Sequence, residues 1–419
     1  MDPEDLIYDW NLAGGKIEPA WTPVQLADET LRDGLQSPSV VSPTIEQKLE
    51  LLRLMAALKI DIADIGLPGA GPHVEKQVER LARAIVEERL SIKAYCAART
   101  VAADILPIVR VSQKVGLSIE VATFIGSSPI RQYTEGWDLP KMVKLTQDAV
   151  KLGVANGLPV NYVTEDTTRA RPADLQALYG AAIQAGASRI CVCDTVGHAT
   201  PEGVESLIHF MLGIVEKENP DVRIDWHGHQ DRGLSIPNSV RALKAGAQRV
   251  HACGLGVGER VGNTPMDQLL VNLQLLGWID RDLSMLAEYV RKVSRYTQVP
   301  IPDSYPVIGR DAFRTGTGVH AAAIIKAREK GHDWLADRVY SGVPAGIFGL
   351  RQIIEVGPMS GESNVLCWLE EHGVEATSDC VKAVFRAAKE SNHILSEQEI
   401  LAVVAALGDG AVKPEPVQV

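Results

Sequence analysis

Eight short apolar runs, each followed by a longer stretch of helical periodicity, predict an α/β protein. The expected architecture is a closed (β/α)8 TIM barrel followed by a smaller, mainly helical C-terminal region. The alternation fills the chain from Pro23 to about Leu276, and such a barrel takes about 250 residues. Polar residues also cluster where the runs end, and barrel active sites lie at that rim. A doubly wound open sheet explains the alternation equally well, but eight regular units with no break in order favour closure.

The expected strands are Val24–Asp28, Ile62–Ile65, Ile92–Ala97, Ile119–Phe124, Val160–Val163, Ile190–Cys193, Ile224–Trp226 and Val250–Cys253. Each is short, rich in small or β-branched residues and apolar enough to be buried on both faces. Between them lie the expected helices Ile45–Leu58, Glu75–Glu88, Pro140–Ala155, Ala173–Ala185 and Pro201–Glu218. In the first, Ile45, Leu49, Leu52 and Met55 recur at threes and fours, an amphipathic pattern. Gly116, Gly157, Gly186 and Gly246 stand where helices should stop before the next strand. The resulting division is an N-terminal extension (1–22), a catalytic barrel (23–280), a subdomain covering the active site (281–361) and a small helical domain (362–419). Residues 408–419 read as a frayed tail.

The 419 residues are 46% hydrophobic and 23% charged, which excludes a disordered chain. Forty-two basic against 53 acidic residues leave a net charge of −11, so no basic surplus exists for a nucleic-acid backbone. An anionic small substrate needs only a few placed cations and stays allowed. The N-terminal residues lack the apolar core of a secretory signal, and no run of about 18 apolar residues marks a membrane span. The six cysteines are scattered, and Cys191 and Cys193 have neither CxxC nor zinc-knuckle spacing. A reduced, cytoplasmic setting is expected.

The rim residues carry the chemistry. Strand seven ends Trp226-His227-Gly228-His229, and positions i and i+2 of a strand face the same side. His227 and His229 therefore make a metal chelate that a carboxylate from another strand would complete; otherwise they are two hydrogen-bonded histidines. After strand one, Asp33 is the natural carboxylate, and Arg32 is a fixed cation able to polarise a carbonyl as it becomes an alkoxide. Gly34 implies a sharp turn aiming both. After strand five, Glu165 is the better candidate for acid/base work, while Asp166 or Thr167 fits a helix N-cap. Strand six offers Thr195 as a hydrogen-bond donor. The glycine-rich run Gly254–Asn263 after strand eight is not a dinucleotide fingerprint, because Glu259 stands where the third glycine belongs. It reads as a phosphate site or as packing glycines.

Asp28–Gln36, His227–Gly233 and Gly256–Asn263, in this order, resemble the metal-dependent Claisen-condensing barrels, with a continuation in Gly316–His320. These are the 2-isopropylmalate, citramalate and homocitrate synthases and the related hydroxymethylglutaryl-CoA lyases. The resemblance implies a divalent metal (Mn2+, Mg2+ or Zn2+) held by Asp33, His227, His229 and Asn263. It implies acetyl-CoA as co-substrate, with Arg32 and Thr195 holding the carbonyl and carboxylate of a 2-oxo acid and Gln36 close by. Glu165 and His320 resemble the family's acid/base pair, and Tyr340 is similar to a tyrosine placed in the same segment. It also implies a homodimer in which His320 acts in cis or across to the partner.

Departures bear on substrate choice. Leu35 stands where condensing enzymes have glutamate, and Gln230 replaces the asparagine or aspartate that follows the histidine pair. Arg131, in Ser127-Ser128-Pro129-Ile130-Arg131, replaces a histidine of the isopropylmalate and citramalate enzymes. It either grips the second carboxylate of a dicarboxylic 2-oxo acid or pairs with Glu135 or Asp138 in its own loop. The loop Gly66–Ala70 resembles the isopropylmalate type. The resemblance therefore implies 2-oxoisovalerate condensed to 2-isopropylmalate, with homocitrate or citramalate synthesis and a lyase reaction as alternatives. A barrel metallohydrolase would carry its histidine pair on the first strand, and a scaffold protein would have lost a ligand or Arg32. No separate amino-acid-sensing domain is expected after His320.

Overall fold

The structure is a computed structural model, and it describes residues 6–407. Residues 408–419, read above as a tail, lie outside the described residues, as do the first five of the N-terminal extension. Two compact units divide the chain. One is Asp9–Pro300, and the other gathers the described residues of Met1–Tyr8 and Ile301–Val419.

The first unit is built on eight parallel strands in sequence order: β1 (Gln25–Asp28), β2 (Ile62–Asp64), β3 (Lys93–Arg99), β4 (Ile119–Gly126), β5 (Val160–Glu165), β6 (Arg189–Asp194), β7 (Arg223–Gly228) and β8 (Arg249–Ala252). β8 pairs in parallel with β1, Gln25 opposite Arg249 and Asp28 opposite Ala252, so the sheet closes and the open-sheet alternative falls. The strands are buried nearly throughout, which is why they read as continuous apolar runs.

Helices α1 (Ile45–Ala57), α2 (Pro72–Glu87), α3 (Ala102–Val115), α4 (Pro129–Glu135), α5 (Leu139–Ala155), α6 (Pro172–Gln184), α7 (Pro201–Glu218), α8 (Ser235–Ala245), α9 (Met266–Leu275) and α10 (Leu286–Thr297) follow the strands. Local chemistry sets their ends. Thr44 and Gln47 form a reciprocal capping box at the start of α1, and Leu49, Leu52 and Met55 bury its inner face. α3 stops at Gly116, which takes a left-handed conformation (φ +74°) that a side chain would oppose.

α10 lies beyond the barrel expected over 23–280 but within the first unit: Tyr289 on this helix donates its hydroxyl to Asp28 Oδ2 at 2.5 Å, tying it to β1. Residues 9–22 fall in the same compact unit.

Charged groups fill the barrel interior towards the strand N-termini. Asp225 accepts from Arg189 Nη1 (2.5 Å), Arg249 Nε (2.8 Å) and Asn161 Nδ2 (2.8 Å), and Arg249 Nη2 reaches Glu120 (2.5 Å). Breaking one partner from such a buried set leaves an uncompensated charge and costs about 3–5 kcal/mol.

The second unit holds a parallel pair, β9 (Arg314–Thr315) and β10 (Ile353–Ile354), with α11 (Gly318–Glu329) and α12 (Asp333–Ala336). Three further helices, α13 (Glu362–Glu371), α14 (Ser378–Glu390) and α15 (Glu397–Ala405), pack Val365, Trp368, Leu369, Val384 and Ile400 into a small core. No helix among the described residues is long and apolar enough to cross a membrane.

Candidate active site

After β1 the chain turns into a short 3₁₀ segment, Asp33–Gln36. A Cβ on Gly34 would lie 2.8 Å from Val257 Cγ2, so only glycine lets this turn approach the β8 loop. Arg32 is largely buried and held from two sides: Nε lies 2.6 Å from Asp64 Oδ2 and Nη1 2.7 Å from Asp33 Oδ1. Burial pushes the Asp64 carboxyl up to about 6 in spite of Arg32. Burial acts to raise Asp33 as well, but Arg32 and the two histidines leave it below the ordinary carboxylate range.

His227 and His229 project from the end of β7 with ring centroids 5.0 Å apart. His229 Nε2 is 4.0 Å from Asp33 Oδ2, and ligand atoms of Asp33, His227 and His229 all lie within 4.8 Å of one another. His227 Nδ1 is 2.7 Å from Glu29 Oε2. Burial lowers the affinity of both rings for a second proton. Glu29 overcomes this at His227, which rises to about 9, whereas at His229 the neighbouring His227 adds to it and the value falls to about 4. Gln230 turns its amide oxygen to Ser235, and His229 Nδ1 is left buried with no hydrogen-bond partner.

Asn263 joins this group across a backbone bridge to His229. Its Nδ2 donates to Asp33 Oδ2 (2.8 Å) and Val257 O (3.1 Å), while its Oδ1 is buried without a partner. The glycine-rich run packs closely: a Cβ on Gly258 would sit 2.3 Å from Asn263 Nδ2, and one on Gly262 would sit 1.9 Å from the Gly256 carbonyl. A carboxylate, two imidazoles and an orphaned amide oxygen fit a divalent cation that accepts mixed oxygen and nitrogen ligands.

Asp33, His227 and His229 line one side of a cavity of about 360 Å³ together with Gln36, Glu165 and Thr195. Thr195 Oγ1 accepts from the Asp166 N–H (2.8 Å), so its own proton is free to point into the cavity. Burial raises the Glu165 carboxyl above its ordinary value. The opposite wall is apolar, formed by Ala97, Ala122, Phe124 and Val163. Arg260 ties the rim together, donating to Asp231 (2.7 Å) and to the Thr195 carbonyl (2.6 Å).

Arg131 is not among the lining residues; its guanidinium lies 3.2 Å from Glu135 and 3.6 Å from Glu165, the pairing its own loop allowed. Asp166 makes no capping hydrogen bond, because Ser128 and Arg169 take its carboxylate. His320 and Tyr340 belong to the second unit, where their rings stack at 4.0 Å. The sequence reading gave no role to Glu29, Asp64, Tyr95 or His251, all of which are buried at the site. Asp64 and His251 interrupt otherwise apolar strands, a signal that was available.

The HMGL-like family model matches residues 23–293. The chain is 32% identical over 371 residues to a probable 2-isopropylmalate synthase of Methanopyrus kandleri, covering 88% of this chain and 69% of that one. It is 32% identical over 366 residues to homocitrate synthase AksA of the same organism, 86% of each chain. A 2-isopropylmalate synthase of Pyrococcus furiosus is 30% identical over 400 residues, 93% of this chain and 77% of that one. Among solved structures, the HMG-CoA lyase of Bacillus subtilis superposes with a TM-score of 0.56 at 17% identity, over 68% of this chain and 97% of that one, a likeness of fold.

Proposed function

The chain belongs to the HMGL-like family and is an enzyme, and from that premise we propose that it is an acyltransferase condensing acetyl-CoA with a 2-oxo acid, 2-oxoisovalerate going to 2-isopropylmalate. The observation that carries the substrate choice is the pairing of the cavity's cations. Arg32 is engaged by Asp64 and Asp33, and Arg260 by Asp231, while the far wall is Ala97, Ala122, Phe124 and Val163. A second substrate carboxylate would have to displace one of these pairs, whereas an isopropyl group suits the apolar wall.

Asp33, His227, His229 and Asn263 would hold the divalent metal, which when bound supplies Lewis acidity to the 2-oxo acid's carbonyl. Arg32 stands ready as a fixed cation for the alkoxide formed at C2. Thr195 directs its hydroxyl proton to the substrate carboxylate. Glu165 and His320 are assigned proton transfer: a base takes a proton from the thioester methyl, the resulting carbanion forms the new bond to C2, and the alkoxide is protonated. Water then cleaves the thioester and releases CoA. Burial raises the Glu165 pKa above its ordinary value, which favours its holding a proton for transfer.

Thiol release from acetyl-CoA with Mn2+ tests this, comparing 2-oxoisovalerate, pyruvate, 2-oxoglutarate and oxaloacetate with a chelator control. Chelator-sensitive release with 2-oxoisovalerate is expected. Release only with a dicarboxylate would move the reading to homocitrate-type chemistry and return Arg131 to the substrate. Release with none would turn it to the lyase direction.

A further inference from the structure

We propose that Glu29 is a positioning residue that presents His227 to the metal, gripping the ring by Nδ1 so that Nε2 is left for the ion. The inference rests on the metal reading above. Glu29 follows β1 directly and is only 3% exposed, so water does not satisfy its carboxylate. The protein does so completely. Oε2 lies 2.7 Å from His227 Nδ1, and Oε1 takes the Tyr95 hydroxyl at 2.8 Å and His251 Nδ1 at 2.9 Å. His251 is fixed from its other side, Nε2 lying 3.0 Å from Asp225 Oδ2, which the buried arginines hold.

A metal-bound imidazole has its tautomer and orientation set by the hydrogen bond at its second nitrogen. His227 has such a partner, and His229 does not, since its Nδ1 is orphaned. The aim of the histidine pair therefore depends on Glu29. Glu29, His227 and His251 are also close enough together to hold an ion of their own. Their separations decide against it. Gaps of 2.7 and 2.9 Å are those of hydrogen bonds with a proton between. Ligands at about 2.0–2.1 Å from one tetrahedral ion would stand farther apart, at roughly 3.3 Å.

Mn2+ binding to the metal-stripped full chain, followed by titration calorimetry, tests the proposal. Wild type should take up one ion. Glu29→Gln should raise the dissociation constant about 10–100-fold while stoichiometry stays at one. Tyr95→Phe, which removes one hydrogen bond to Glu29 and keeps the ring, should give a smaller rise, and it carries the test if Glu29→Gln does not fold. Histidine ¹⁵N spectra of the Zn2+-loaded wild type should show a ring protonated at Nδ1 and metal-bound at Nε2, a signature Glu29→Gln loses. Unchanged affinity in both variants would overturn the proposal while leaving the metal reading intact. Two ions in wild type would make Glu29 a ligand and overturn it as well. No ion in wild type would defeat the metal reading itself.

Discussion

Asn263 donates its side-chain amide to Asp33 at 2.8 Å while its own carbonyl oxygen lies buried with no partner. An amide in that position orients the carboxylate and offers an oxygen beside it. Asn263→Ala should therefore weaken Mn2+ binding about tenfold or more. Mn2+ at about 100 times its dissociation constant should stabilise the wild type by about 2.7 kcal/mol, and chelation should remove that gain. Calorimetry and thermal melts read both effects, and an unaltered affinity in Asn263→Ala would take Asn263 out of the ligand set.

Glu165→Gln keeps the shape of the side chain and removes its proton exchange. The expected result is a fall in kcat of about 10²–10⁴-fold with the melting temperature unchanged. Full activity would leave the acid/base assignment to other groups.

Arg131→Gln should leave the order of preference among the four 2-oxo acids unchanged, since Arg131 faces Glu135 and Glu165. It should instead alter the pH profile. Arg131 lowers the Glu165 pKa against the effect of burial, so its loss lets that pKa climb and moves whichever limb of the profile Glu165 sets to higher pH. A selective loss of turnover with 2-oxoglutarate would contradict this.

Burial pushes Asp28 up to about 6, with the hydrogen bonds from Thr30 and Tyr289 opposing the rise. The folded state thus holds a proton that the unfolded chain releases near its ordinary value of about 3.9. This stability is fully present below that value, falls as pH rises and is gone above about 6. Asp28→Asn lacks the effect. The stability of wild type minus that of Asp28→Asn, from urea unfolding, should drop by roughly 3 kcal/mol between pH 3.5 and 7. A difference that grows with pH would refute it.

The barrel was legible because its strands are buried on both faces, so each appears as an apolar run that no helix pattern imitates. The rim was legible wherever a strand end carries its chemistry in adjacent residues, as with Arg32-Asp33 or His227 and His229. What escaped was assembled across strands. Glu29 meets His227 and His251 from two other strands, and nothing local to Asp28–Gln36 announces those partners. Arg131 was ambiguous for a similar reason: Glu135 lies one helical turn along α4, but Glu165 comes from β5. The hydrogen bond holding α10 to β1 was likewise not legible, because it joins Tyr289 to a residue far back in the chain.

The charge stack inside the barrel also governs how the protein can be assembled. Arg189 sits on β6, Asp225 on β7, Arg249 on β8 and Glu120 on β4, so the set is complete only when strands from both halves of the sheet face one another. A half-barrel with β1 to β4 in place would hold Glu120 against no guanidinium. One made of β5 to β8 would carry two arginines for a single aspartate. Neither fragment neutralises itself, so the complete set of ion pairs exists only in the closed ring.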